Sequence, residues 1–130
     1  MRPLLLLLLL ALPGAAVRAA PPAPGTQVEQ VLALPDGSEI SYLLYLPPGY
    51  QADGPPVPLL LFLHGSGERN GPLALVAKWG PPRRLAAGDA LPYLVASPQC
   101  PRESSWEQPD QQRRLLALLA HLRHAHRVDA

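Results

Sequence analysis

Residues 61–70, with the sequence LFLHGSGERN, join an apolar run to a glycine-rich turn. The apolar run extends back over 57–63 and predicts a strand buried on both faces, as in the middle of an α/β sheet. Gly65 and Gly67 let the backbone turn sharply and point N–H groups into a pocket at the carboxyl end of that strand, where open α/β sheets bind ligands. Two interpretations stay open on spacing alone. The turn is either half of an oxyanion hole, with the Ser66 N–H aimed at a carbonyl oxygen during acyl transfer, or a tight structural turn.

Two stretches before this segment predict an antiparallel hairpin. Residues 28–34 and 39–46 are rich in β-branched, aromatic and aliphatic side chains, and Pro35-Asp36-Gly37 lies between them. Proline presets φ and glycine accepts a positive φ, so this tripeptide predicts the turn. Residues 20–25, APPAPG, form a Pro-rich leader that we expect not to pack, so that the domain begins near Thr26.

Helical and extended stretches alternate after the glycine-rich turn. A helical pattern covers 73–79 and 82–87, and Gly80-Pro81-Pro82 interrupts it. Gly88 is placed to cap the second helical stretch at its C-terminus. Residues 92–97, PYLVAS, then predict a second buried strand.

The clearest helical pattern opens at Pro109 or Asp110. Its apolar stripe repeats every three or four residues: Leu115, Leu118, Leu119 and Leu122. A hairpin followed by strand, helix, strand and helix predicts the start of a mixed α/β sheet of the doubly wound kind. A crossover helix of this kind leads to a further parallel strand, which we expect to begin near Val128. Residues 26–130 are therefore expected to be the first part of a larger domain.

The N-terminal residues 1–19 have the pattern of a secretory signal peptide. Arg2 precedes an apolar run over 4–12, and the small residues within 17–19 suit cleavage before Ala20. The run is too short to span about 30 Å of hydrocarbon, so no membrane contact is expected once the signal is removed. The sequence thus predicts a secreted or periplasmic protein.

The charge balance excludes two classes of partner. The 130 residues carry 11 basic and 10 acidic side chains, and removing Arg2 and Arg18 with the signal lowers the basic count to 9, so the mature chain has a net charge of −1. Nucleic acids and anionic membranes need clustered Lys and Arg, so neither is expected to bind. Cys100 is the only cysteine, and in an exported chain it is either buried or paired outside these residues.

Several sequence stretches, taken in order, resemble one known family. They are YLLYLPPGY at 42–50, LLLFLHGSGERN at 59–70, WGPPRRL at 79–85 and YLVASPQCP at 93–101, with Trp106 shortly after. In this order they resemble the opening third to half of the α/β-hydrolase family of secreted esterases, a group described as phospholipase/carboxylesterase-like, dienelactone-hydrolase-like or polyhydroxybutyrate-depolymerase-like. The resemblance covers about residues 40–127. It implies the N-terminal part of an α/β-hydrolase mixed sheet, incomplete here, with an antiparallel hairpin followed by parallel strands and crossover helices.

The resemblance also implies roles for the glycine-rich turn. In the family, the residue after the His-Gly pair donates its backbone N–H to the oxyanion, and here that residue is Ser66. The residues that would support this loop, the histidine through ring hydrogen bonds, are His64, Gly65, Gly67 and Glu68. Trp106 is a candidate wall of the substrate pocket, and simple packing is the alternative. The implied substrate is a small-molecule or polymer ester, and no cofactor is implied.

The nucleophile of the family is not found in this sequence. In the family it lies in a G-x-S-x-G elbow, which has glycine two residues before and two residues after the serine. None of the serines in this sequence has glycine at both positions. The serines are Ser38, Ser41, Ser66, Ser97, Ser104 and Ser105. Because the chain order in this fold is nucleophile, acid, histidine, all three are expected beyond Ala130. The 130-residue chain is therefore expected to be catalytically inactive.

Other residues that could carry chemistry have simpler interpretations. His64 is not expected to act as a general base, because this chain lacks the nucleophile that a base must reach. Glu68 and Arg69 predict either a local charge pair or hydrogen bonds to the loop backbone. Three histidines lie near the end of the last helix: His121, His124 and His126. We expect a solvated polar face there and no metal site, because Arg123 and Arg127 would repel a cation.

Two other classes of function remain open. A short secreted binding module without catalysis would hold a ligand or partner through the sheet edge next to the expected further strand. A fragment of a prolyl-oligopeptidase-like serine peptidase would share the oxyanion loop.

Overall fold

The computed structural model describes residues 20–69 and 71–129. The signal peptide predicted for 1–19 lies outside the described residues. Within the described part of the chain, no helix combines the length and the apolar character that crossing a bilayer requires.

The Pro-rich leader at 20–25 packs in part, which corrects the expectation that it would not. Pro22 is buried, and the Gly25 N–H donates to the Leu46 carbonyl at 2.8 Å. The Ala20 carbonyl accepts a hydrogen bond from the Gln30 side chain. A stiff proline segment loses little conformational entropy on packing, so a few such contacts are enough to order it.

The predicted hairpin is confirmed. Its strands are β1 (Gln27–Ala33) and β2 (Glu39–Tyr45), which pair in antiparallel register. In the turn between them Gly37 has φ of 84°. The Asp36 carboxylate accepts hydrogen bonds from both the Ser38 N–H, at 2.9 Å, and the Ser38 hydroxyl, at 2.6 Å. The turn therefore forms by the local chemistry that its sequence predicts.

Two further strands complete a four-stranded mixed sheet. They are β3 (Leu59–Leu61) and β4 (Leu94–Pro98), and the strand order is β1-β2-β4-β3. β4 is antiparallel to β2 and parallel to β3. All five residues of β4 are buried, as predicted for 92–97, although the strand begins two residues later than expected.

The strand predicted over 57–63 is shorter and less buried than expected. Only Leu59–Leu61 are extended strand, all three are half-buried, and Leu63 is 39% exposed. The reason is that β3 pairs with β4 along one side, while its other side carries, among the described residues, an isolated bridge at Val57. An apolar run does not reveal how many neighbours its strand will have.

The bridge at Val57 brings the end of the chain to the outer side of β3. Val57 pairs in parallel with Val128, the Val57 N–H donates to the Arg127 carbonyl at 2.9 Å, and the Asp129 N–H donates to the Val57 carbonyl at 2.8 Å. This is the parallel position to which the last helix was expected to lead.

Helices cover both faces of the sheet. One face carries α2 (Pro109–Ala125), whose buried Leu118 and Leu122 confirm the predicted stripe. The other face carries a 3₁₀ helix (Leu73–Lys78) and α1 (Gly80–Ala86). The residues that pack on this second face are Leu43, Leu73 and Val76 in one cluster and Tyr45, Leu85 and Val95 in another. Helices on both faces of a mixed sheet confirm the predicted fold class.

Glycines stand at both ends of α1, and each adopts a positive φ. Gly80 has φ of 64°, and a Cβ there would lie 2.6 Å from the Phe62 ring. Gly88 has φ of 98°, with nothing within 4 Å of its Cβ position. The Gly88 N–H donates to Leu85, and the next N–H, of Asp89, donates to Arg84, each at 3.0 Å. These two bonds confirm the predicted C-terminal cap.

The two glycines give a matched pair of substitutions. Gly80→Ala is expected to lower the free energy of unfolding by about 2–4 kcal/mol, because backbone strain adds to displacement of the Phe62 ring. Gly88→Ala is expected to lower it by about 1 kcal/mol, since only the strain applies. Urea denaturation followed by circular dichroism measures both values. Equal losses would contradict a role for the Phe62 contact.

Candidate functional site

The carboxyl ends of β3 and β4 meet at a cavity of about 370 Å³. Three segments form it: the glycine-rich turn that follows β3, the residues that follow β4, and the loop before α2. The lining residues are His64, Gly65, Ser66, Arg69, Cys100, Ser105, Trp106 and Glu107. The structure therefore brings the predicted turn and the predicted Trp106 to one place.

The His64 ring is buried and bonded at both nitrogens. Its Nε2 accepts the Cys100 backbone N–H at 3.0 Å. Since that backbone group can only donate, the ring proton is assigned to Nδ1. Nδ1 lies 2.6 Å from the Gly65 carbonyl oxygen and donates to it. His64 thus connects the end of β4 to the backbone of the glycine-rich turn.

The bond to Gly65 orients the next peptide group. The Gly65 carbonyl and the Ser66 N–H belong to one peptide plane, and in a trans peptide they point in opposite directions. With its carbonyl directed at the His64 ring, this peptide directs the Ser66 N–H away from the ring. No acceptor for the Ser66 N–H exists among residues 20–69 and 71–129. Ser66 itself begins a 3₁₀ turn (Ser66–Glu68) and lines the cavity.

Trp106 both packs and lines the cavity, so the structure contains both of the alternatives left open for it. Its indole N–H donates to the His64 carbonyl at 3.0 Å. The two rings meet edge to face with centroids 5.1 Å apart. An aromatic pair of this geometry contributes about 0.5–1.5 kcal/mol beyond the area that it buries. Trp106 therefore contacts His64 at both its backbone carbonyl and its ring.

Of the two interpretations of Glu68 and Arg69, the structure shows the backbone hydrogen bonds. Arg69 donates from Nε to the Ser66 carbonyl at 3.1 Å and from Nη1 to the Ser104 carbonyl at 2.7 Å. The buried Glu68 carboxylate lies instead 4.0 Å from His64 Nδ1. Arg69 thus links the glycine-rich turn to the loop before α2.

Sequence reasoning did not identify Gln99 as part of the site. Its side-chain amide donates to the Glu68 carbonyl at 2.9 Å, across 31 positions of sequence. The only sequence signal is its position directly after β4, at the sheet edge where sites form. Nothing in the local pattern indicates which backbone group its amide would reach.

Cys100 is a free, buried thiol at the wall of the cavity. Burial raises its pKa above the ordinary thiol value, and the nearby positive charge of Arg69 opposes this effect in part. A raised pKa disfavours the thiolate, which is the nucleophilic form. Cys100 therefore contributes its backbone N–H to the site and does not have the properties of an activated nucleophile.

The three histidines near the end of α2 lie apart from this cavity. His124 is exposed. His126 packs edge to face on Tyr50 at 6.1 Å, and its pKa is lowered first by burial and then by the charge of His121. Across the described residues, no group of three or more His, Cys, Asp or Glu side chains is arranged to hold a metal ion.

Comparison with known proteins shows that this fold resembles solved structures, among them an esterase. A thermostable esterase superposes with a TM-score of 0.58 at 27% sequence identity. The match covers 79% of this chain and 32% of the esterase chain, so the chain spans about a third of the esterase's length. No family model and no curated protein sequence matches the chain. Together with the strand order β1-β2-β4-β3, the match assigns the chain an α/β-hydrolase-like fold with an esterase as structural neighbour.

Proposed function

We propose that this chain is the oxyanion-loop part of an exported serine hydrolase that cleaves carboxylic esters. The observation that carries the proposal is the His64–Gly65–Ser66 arrangement, in which the ring fixes the peptide that bears the Ser66 N–H. The esterase neighbour supports the same class of reaction. The substrate is a small-molecule or polymer ester that enters the cavity of about 370 Å³.

Ser66 acts in this proposal through its backbone. As a nucleophile adds to the ester carbonyl, negative charge develops on the carbonyl oxygen, and a fixed N–H donor stabilises it without reorganisation. The hydrogen bond from His64 to the Gly65 carbonyl polarises the peptide and makes the Ser66 N–H a stronger donor. The stabilisation is therefore set by a backbone group whose direction the ring controls.

His64 is a positioning residue in this proposal. Its Nε2 lone pair accepts from Cys100, and its Nδ1 proton is directed at Gly65. A general base needs a free lone pair within reach of the nucleophile's proton. The nucleophile, the acid and the catalytic histidine are accordingly proposed to come from chain beyond these 130 residues.

Activity against an ester tests the proposal. The full-length product is the longest chain that the gene encodes from Met1. It is expected to hydrolyse p-nitrophenyl acetate and to lose that activity to a serine-directed phosphonate, whereas the purified 130-residue chain should show no phosphonate-sensitive turnover. Sensitive turnover by the 130-residue chain would contradict the proposed place of the nucleophile.

Two further outcomes would replace the proposal. An absence of ester turnover in both chains would contradict ester hydrolysis and favour a binding module. Cleavage of prolyl peptides in preference to esters would assign the peptidase branch instead.

A further inference from the structure

Arg69 lines the same cavity as Ser66 and carries more hydrogen-bonding capacity than the loop uses. A guanidinium has five N–H groups. One Nε–H and one Nη1–H bond to the carbonyls of Ser66 and Ser104. The remaining N–H groups of Arg69 have no partner among residues 20–69 and 71–129.

The charge of Arg69 is also not balanced by a direct partner. Within the described residues no carboxylate lies within 4.0 Å of its guanidinium. Glu68 faces the His64 ring, and Glu107 is an exposed residue of the cavity wall. The positive charge of Arg69 acts on a second lining residue of the cavity, since it lowers the pKa of the Cys100 thiol against the larger effect of burial.

The two bonds to backbone carbonyls fix the direction of the guanidinium plane. Arg69 is half-buried, so its side chain is held in one place rather than extended into solvent. A fixed planar guanidinium is suited to carboxylate and phosphate groups, which it binds through parallel N–H···O bonds. It also pays less conformational entropy per bond than a mobile lysine would.

We propose that this cavity contains a subsite for an anionic group, a carboxylate or a phosphate, and that Arg69 is the residue that recognises it. The preferred esters then carry a negative charge close to the scissile carbonyl, because Arg69 bonds to Ser66 itself. The ester part of this statement rests on the proposed function. The anion subsite does not, since binding is measurable without turnover.

Binding to the 130-residue chain tests the subsite directly. The probes are monoethyl glutarate, its neutral diester diethyl glutarate, and monoethyl phosphate. The readout is the NMR signal of the Trp106 indole N–H, which lies at the cavity wall. Monoethyl glutarate is expected to bind about tenfold to a hundredfold more tightly than the diester, as a charge-assisted hydrogen bond implies. Added salt should weaken the binding of the anionic probes and leave the binding of the neutral diester unchanged.

Binding of monoethyl phosphate distinguishes a subsite for phosphate from a subsite for carboxylate. Tighter binding of the phosphate than of the carboxylate would assign the subsite to phosphate, and the reverse order would assign it to carboxylate. The proposal would be overturned if the NMR titrations gave equal binding midpoints for monoethyl glutarate and the diester and showed no binding of the phosphate.

Three variants separate charge from loop shape. Arg69→Gln is expected to abolish the preference for anionic probes, and Arg69→Lys is expected to keep part of it because the charge remains. Arg83→Gln is the matched control, since Arg83 is exposed, lies over the Trp79 ring and lines a different cavity. Equal loss in Arg69→Lys and Arg69→Gln would mean that loop shape produces the preference, and would overturn the role of the charge.

Turnover by the full-length product supplies a second readout. The ratio of kcat/KM for mono-p-nitrophenyl glutarate to that for p-nitrophenyl acetate is expected to fall by about tenfold or more in Arg69→Gln. A purely structural role would lower both values together and leave the ratio unchanged. Loss of all ester turnover with retained anion binding would contradict the proposed function and leave the subsite standing.

Discussion

Ester turnover by the full-length product is expected to fall by about 10²–10³-fold in kcat when Ser66 is replaced by proline. Proline has no backbone N–H, so this substitution removes the proposed oxyanion donor, and its ring Cδ takes the place of the amide hydrogen at the position that the oxyanion would occupy. The Ser66 carbonyl, which accepts from Arg69, is retained. Ser66→Ala keeps the N–H and removes the hydroxyl, and its kcat is expected to remain within about threefold of the parent value. Steady-state kinetics on p-nitrophenyl acetate measures both variants.

The backbone around Ser66 makes proline a fair substitution. Ser66 is the first residue of its 3₁₀ turn, where proline is well tolerated because no internal hydrogen bond is lost. Gly65 before it is extended, with φ of −79° and ψ of −173°, which suits a residue that precedes proline. Thermal unfolding should therefore change little. A Ser66→Pro variant that folds normally and retains full kcat would show that another group stabilises the oxyanion.

The second large effect is expected on stability. His64→Ala should lower the free energy of unfolding by about 3–5 kcal/mol, because it leaves the buried Cys100 N–H unpaired and opens a cavity beside Trp106. His64→Phe fills most of that volume, and the loss of about 1–3 kcal/mol that remains reports the unpaired hydrogen-bonding groups. Urea denaturation of the 130-residue chain at low protein concentration measures all variants.

His124→Ala is the matched control for these histidine substitutions. His124 is exposed on α2, so its replacement should change the free energy of unfolding by less than about 0.5 kcal/mol. Similar values for His64→Ala and His124→Ala would contradict the view that the His64 ring supports the glycine-rich turn.

The parts of the fold that sequence predicts well are those that depend on local chemistry. The hairpin turn at Pro35-Asp36-Gly37 and the cap at Gly88 need particular backbone angles, which few residue types adopt. The leucine stripe of α2 follows from helical periodicity alone. The extent of β3 was not predictable in the same way, because its burial depends on neighbours that are distant in sequence.

The candidate site likewise has features that the sequence predicts and contacts that it does not predict. The glycine-rich turn and its place at the carboxyl end of β3 are visible in the sequence. The bonds that fix it are not, since Trp106 reaches His64 across 42 positions and Gln99 reaches Glu68 across 31. A pattern of residue types indicates where a loop turns, whereas the identity of its long-range partners emerges only in three dimensions.

The side chains around the glycine-rich turn also determine which of its backbone groups remain available for hydrogen bonding. The carbonyl groups of four of its residues each receive a side-chain donor: His64, Gly65, Ser66 and Glu68. These four carbonyl oxygens are thus already hydrogen-bonded within the protein, whereas the Ser66 N–H remains available to a ligand. The backbone of the turn consequently offers its donor, rather than these four carbonyl oxygens, to a bound molecule, and this selects for an electron-rich oxygen.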